Sequence, residues 1–154
     1  MRKASNGVKK IVIYTDGGSR GNPGKAAIGV VFTNEMGQEI KKFGEYLGDG
    51  LTNNEAEYQA VIFALKKFKA VFGKEIAKVT DLEVRSDSEL LVNQMNGKYK
   101  LENEKIQKFF IEIWNLKIDF LNVKFKAIPR EKNKEADRLV NEALDGQSSN
   151  QKLL

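Results

Sequence analysis

Four acidic residues, Asp16, Glu57, Asp87 and Asp137, stand where a folded chain has to account for their charge. Asp16 ends the run Ile11, Val12, Ile13, Tyr14, whose β-branched and aromatic composition is that of a buried strand. Behind it, TDGGSRGNPG (Thr15 to Gly24) sets four glycines and a proline within eight residues. The reading is of a strand that stops at a carboxylate and opens into an irregular loop, able to approach another molecule closely. Asp87 ends a second apolar run, Leu82 to Ser86, and Ser88 then begins a helix. Ligands of open α/β sheets gather at the carboxyl ends of strands. A turn Asp and a helix cap would look the same locally, so neither residue is decisive alone.

Helical phase separates two neighbouring glutamates. At about 100° per residue, Glu57 shares a face with the apolar Ala60, Val61, Ala64, Leu65, Phe68 and Phe72. Glu55 lies roughly 200° away and leads into Gln59, Ile62 and Lys66, so it is expected to be ordinary surface charge. A carboxylate at the head of a core-facing stripe is costly unless paired or bound to a cation. Asp137 borders the stripe Ala136, Leu139, Val140, Ala143 of a final helix. Four carboxylates brought together repel and need cations to stay ionised. The chain has no histidine and no cysteine. That excludes Ser-His-Asp and Cys-His catalysis, thiolate zinc sites and disulfides, and leaves oxygen-held Mg²⁺ or Mn²⁺. Two such ions suit phosphodiester hydrolysis, and a net charge of +5 suits a nucleic-acid substrate.

The elements that must position these groups are legible in outline. Strands are expected at Ile11–Thr15, Ala26–Thr33 and Ile40–Leu47, forming an antiparallel meander. A helix capped by Thr52 or Asn53 runs to about Phe72; Leu82–Ser86 is a fourth strand. Helical stretches follow at Ser88–Met95 and Asn103–Leu116, broken at Asn96-Gly97. Val123, Phe125 and Ala127 alternate with lysines as a fifth strand, and Pro129 stops it. A last helix spans Asn133–Leu144. The expectation is one α/β domain over residues 8–145, with a flexible lead at 1–7 and a disordered tail at 146–154. Its sheet is mixed and five-stranded, three antiparallel strands then two parallel, with helices on both faces. No secretion signal is legible and no apolar run approaches the roughly 18 residues of a membrane span, so a soluble cytoplasmic protein is expected.

Four segments together resemble type 1 ribonuclease H, in the compact subgroup related to reverse-transcriptase ribonuclease H domains. They are TDGGSRGNPG (Thr15 to Gly24), TNNEAEYQA (Thr52 to Ala60), VRSDSELLVNQMNGKY (Val84 to Tyr99) and IPREKNKEADRLVNEAL (Ile128 to Leu144). The resemblance implies the ribonuclease H-like fold and a catalytic, metal-binding set of Asp16, Glu57, Asp87 and Asp137. It implies two Mg²⁺ (Mn²⁺ possible in their place) and cleavage of the RNA strand of an RNA–DNA hybrid to 3′-hydroxyl and 5′-phosphate ends. In it, Asp16 bridges both ions, Asp137 completes the nucleophile side, and Glu57 and Asp87 complete the leaving-group side.

The same resemblance assigns substrate contacts. Gly17, Gly18 and Ser19 lie towards the RNA, Asn22 and Thr52 match a pocket for a DNA-strand phosphate, and Asn53 and Asn54 match minor-groove contacts. Glu89 stands where many relatives carry Gln. Two family features are missing: a histidine in the loop before the last helix, and the basic protrusion of some members between Gly97 and Asn103. The loop instead carries Arg130, Lys132 and Lys134, and Arg130 can stand in for the histidine as a cation but not as a base. A monomer without an obligate protein partner is expected. The alternatives are a non-catalytic hybrid-binding module of the same fold and a related nuclease acting on double-stranded RNA. A P-loop is ruled out by spacing, since no Ser or Thr follows Lys25.

Overall fold

A computed structural model describes residues 8–153; the expected lead at 1–7 lies outside the described residues. Strands β1 (Lys9–Gly21), β2 (Gly24–Asn34) and β3 (Glu39–Leu51) form the antiparallel meander. Helix α1 (Asn53–Phe72) and the short α2 (Lys74–Lys78) lead to β4 (Thr80–Ser86). Helices α3 (Glu89–Met95) and α4 (Glu104–Lys117), strand β5 (Asn122–Ala127), a 3₁₀ turn (Arg130–Lys132) and α5 (Lys134–Leu153) complete the chain. The sheet order is β3-β2-β1-β4-β5, with β1–β4 and β4–β5 parallel, as the expected mixed five-stranded sheet requires.

Alternation along the strands divides the core. Ile13, Ile28, Val30 and Phe32 face Tyr58, Val61, Leu65 and Phe68 of α1, with α3 and α4 closing that layer. Tyr14, Ala27 and Val31 point the other way, against Ala136, Leu139, Val140 and Leu144 of α5. The helices therefore cover both faces.

Three expectations need correction. The glycine-rich segment is not an irregular loop: β1 continues through Gly17–Gly21, paired with Ile28 to Gly24 of β2, so Asp16 sits within a long strand. Hydrogen bonding to a neighbouring strand outweighs the weak β-propensity of glycine there. The last helix does not end at Leu144 but runs to Leu153. Gly146 carries no positive φ and so forms no left-handed C-cap; within a helix it only weakens the element. The five-residue α2 was missed because one turn is too short for a periodicity to show.

Glycine decides how closely α5 lies on the sheet. Asp16, Gly29 and Gly44 are aligned across β1, β2 and β3. A Cβ on Gly29 would lie 2.1 Å from the Ala136 carbonyl oxygen, and one on Gly44 would lie 2.9 Å from that of Leu139. The backbone of α5 thus rests directly on this row, within one turn of Asp137.

Candidate active site

The parallel ladder between β1 and β4 ends at the pair Thr15 and Ser86. Asp16 and Asp87 are the next residue on each chain: β1 runs on through Asp16, still paired with β2, whereas β4 has ended at Ser86. Gly17 lets the head of α1 approach this edge, since a Cβ there would meet the backbone of Ala56 and Glu57 at 2.3–2.5 Å. Its N–H donates to Glu57 Oε1 at 3.0 Å, fixing the Glu57 side chain over the strand. Carboxylate oxygens of Asp16, Glu57 and Asp87 consequently lie within 4.8 Å of one another. Asp137, exposed on the first turns of α5, hydrogen-bonds to Asp16 but stands outside that trio. The four carboxylates line one cavity of about 300 Å³ together with Gly18, Ser19, Arg20, Asn53, Arg130 and Asn141.

Crowding makes these acids hard to ionise. Burial, then the charges of Asp87 and Asp137, push Asp16 up to about 8. Burial, then Asp16 and Asp87, raise Glu57 well above the usual carboxylate range, against the Gly17 N–H and the Arg130 charge. Asp87 is raised chiefly by burial, while Arg130 and a hydrogen bond from Asn133 hold it down. Arg130, from the 3₁₀ turn, is thus the positive counterweight at the site. A hard divalent cation fits what is left: an all-oxygen donor set whose mutual repulsion it would cancel.

The other expected contacts divide. Thr52 caps α1, its Oγ1 accepting from Glu55 N at 3.1 Å. Asn22 Oδ1 accepts from Asn53 N at 2.9 Å, and Asn53 Oδ1 from Ser19 N at 2.9 Å, so Asn22 and Asn53 clasp the β1–β2 hairpin to the helix. Ser19 Oγ donates to the Leu51 carbonyl at 2.8 Å. Asn54 is half-buried, its Oδ1 enclosed and without a hydrogen-bond partner among the described residues, and it does not line the cavity. Glu89 is exposed on α3, also away from the cavity lining.

Glu55 is not the surface charge its phase suggests. It is 8% exposed, and its Oε1 accepts from Thr52 N at 3.0 Å as the second half of a capping box. A wheel measures direction from the helix axis only, whereas the box folds the N3 side chain back over the helix end beside Lys105 of α4. Asn133 was missed entirely. Buried to 2% exposure, it donates from Nδ2 to the Thr15 carbonyl at 2.8 Å and ties the start of α5 to the strand that bears Asp16. Gly29 did leave a signal, an isolated glycine inside an apolar strand, which marks close backbone approach.

Comparison with known proteins agrees with this geometry. The family model described as "Reverse transcriptase-like" matches residues 14–143. The Bifunctional protein Rv2228c of Mycobacterium tuberculosis is 36% identical over 137 residues, 88% of this chain but 36% of its own length. The chain therefore spans about a third of that relative. The Ribonuclease H of Clostridium botulinum (strain Hall) is 33% identical over 159 aligned positions, 90% of this chain and 97% of its own. The crystal structure of LC11-RNase H1, isolated from compost and solved in complex with an RNA/DNA hybrid, superposes with a TM-score of 0.84. It is 47% identical and covers 89% of this chain and 98% of its own. With the sheet order, the carboxylate cluster and these similarities in agreement, the chain belongs to the type 1 ribonuclease H family.

Proposed function

We propose that this protein is a divalent-metal-dependent endonuclease that hydrolyses the RNA strand of RNA–DNA hybrids, leaving 3′-hydroxyl and 5′-phosphate ends. The observation that carries the reading is the convergence of Asp16, Glu57 and Asp87 within 4.8 Å, with Asp137 beside them, on an open cavity. These four would hold two Mg²⁺ or Mn²⁺ ions, which when bound supply Lewis-acid activation of the phosphodiester and of the attacking water.

The chain's own groups prepare that chemistry. Asp16 is central because it interacts with Glu57, Asp87 and Asp137 and also hydrogen-bonds to Asp137. The Gly17 N–H and Asn133 hold Glu57 and Asp87 in place, so that little rearrangement is needed on binding. Arg130 offers a permanent cation beside Glu57 and Asp87, suited to a phosphate oxygen and never to accepting a proton. Gly17 and Gly18 line the cavity with backbone, which a sugar edge can approach. Residues 8–145 serve as the catalytic unit, acting as a cytoplasmic monomer; among the described residues no helix is long and apolar enough to cross a membrane.

Incubation with end-labelled RNA–DNA hybrid, double-stranded RNA and double-stranded DNA, in Mg²⁺ and in Mn²⁺, tests this. Cleavage confined to the RNA strand of the hybrid, with the stated ends, is expected. Tight hybrid binding without any cut would establish the binding-module alternative instead.

A further inference from the structure

The cavity extends beyond the carboxylates. Asp16, Gly18 and Arg20 alternate along one face of β1, and α5 runs across from them. Asp16 meets Asp137, Gly18 comes close to Val140, and Arg20 reaches Asn141 and Asp145. A groove between strand and helix thus leads from the carboxylates to a guanidinium, roughly 13 Å away along the strand at about 3.3 Å per residue. Gly18 lets Val140 lie close against the strand at the middle of this path, since a Cβ there would stand 3.2 Å from Val140 Cγ1.

Arg20 Nη2 contacts Asp145 Oδ1 at 2.8 Å and Asn141 Oδ1 at 3.4 Å. The side chains of the ion pair are 45% and 68% exposed, so the pair is weak and exchangeable. A phosphodiester oxygen is a ligand of the same charge and shape preference as Asp145, and guanidinium binds both through the same fork. Resting on the proposed nuclease function, we infer that Arg20 is a positioning residue. It leaves Asp145 to bind a phosphate of the RNA strand flanking the one over the carboxylates, and Asp145 competes with substrate for it.

Steady-state cleavage of labelled hybrid across a range of salt concentrations tests this with Arg20→Ala, Arg20→Lys, Asp145→Asn and the Arg20→Ala/Asp145→Asn double variant. Arg20→Ala should raise KM roughly five- to tenfold with little change in kcat, and flatten the salt slope of binding by about 0.9. Arg20→Lys should recover the slope but only part of the KM, because lysine lacks the fork. Asp145→Asn should lower KM about twofold at low salt, and this gain should vanish in the double variant. A single neutral methylphosphonate linkage moved along the RNA strand should find one position that penalises wild type and not Arg20→Ala. Cleavage by wild type with KM and salt slope independent of Arg20 would overturn this inference alone. The same holds if Arg20→Ala and Asp145→Asn merely lower Tm alike, which would make the pair a structural tie. Absence of cleavage by wild type would overturn the nuclease reading, and this one with it.

Discussion

Removing the charge of Asp16 should change how the metal-free protein responds to pH. Burial and the charges of Asp87 and Asp137 raise this carboxyl from 3.8 to about 8. Between those values the native state holds a proton that the unfolded chain has released. Since the unfolded state binds fewer protons there, unfolding free energy falls as pH rises from about 4 to about 8. Each pKa unit is worth about 1.4 kcal/mol, so the full shift sets a ceiling of roughly 5–6 kcal/mol. That is comparable to the whole stability of a small domain, about 5–15 kcal/mol. Glu135 does not obscure the effect: its pKa is lowered to about 2, chiefly by Arg138, so its contribution is lost only in acid. Urea denaturation in EDTA, at about pH 5 and about pH 8, measures the difference. Wild type should lose on the order of 2–4 kcal/mol over this interval, and Asp16→Asn much less, because a permanently neutral amide has no proton to lose. Mg²⁺ at the higher pH should restore wild type and leave the variant nearly unchanged. Parallel pH profiles for the two proteins would refute the claim that burial and the neighbouring carboxylates keep Asp16 protonated in the metal-free site.

Other consequences are equally specific. Glu57→Gln should abolish most cleavage while raising metal-free stability at neutral pH, as urea melts will show, because it removes a buried, repelled charge. Glu55→Gln keeps the capping box and should be near neutral, whereas Glu55→Ala should cost about 1 kcal/mol of stability with kcat retained. Gly29→Ala must displace the Ala136 carbonyl, so calorimetry should show a loss of roughly 3 kcal/mol, and activity should fall because α5 carries Asp137. Neutralising Arg130, Lys132 and Lys134 together should weaken hybrid binding and flatten its salt dependence by up to about 0.9 per lost phosphate contact, without altering the metal requirement. Arg130→Ala alone should slow multiple turnover more than a single turnover, if its charge assists departure of the new 5′-phosphate.

What the sequence made legible, and what it hid, follows from the range of the forces involved. Asp16 and Asp87 announced themselves through local signals, a carboxylate directly after an apolar run. Glu57 did so through helical phase, a property of a single element. Those signals survive because each is carried by a single element and needs no partner to be read. The continuation of β1 through Gly17–Gly21 was hidden, because β2 supplies the partner and that pairing is tertiary. Glu55 was misplaced for the opposite reason: its burial comes from curling over its own helix end, which an axial projection omits. Asn133 joins residues 118 positions apart in sequence, and the Arg20–Asp145 pair depends on α5 lying against the row of glycines. No local pattern encodes either contact.

We propose that Asp16 and its neighbouring carboxylates act as one metal-dependent centre that cuts RNA in a hybrid. The most direct test measures single-turnover cleavage of an RNA–DNA hybrid by wild type and Asp16→Asn, with Mg²⁺ and with excess EDTA, with circular dichroism to verify that the variant is folded. Cleavage should appear only for wild type with Mg²⁺, and folded Asp16→Asn should bind hybrid yet leave it intact. Substantial cleavage in EDTA, or by Asp16→Asn, would contradict the account.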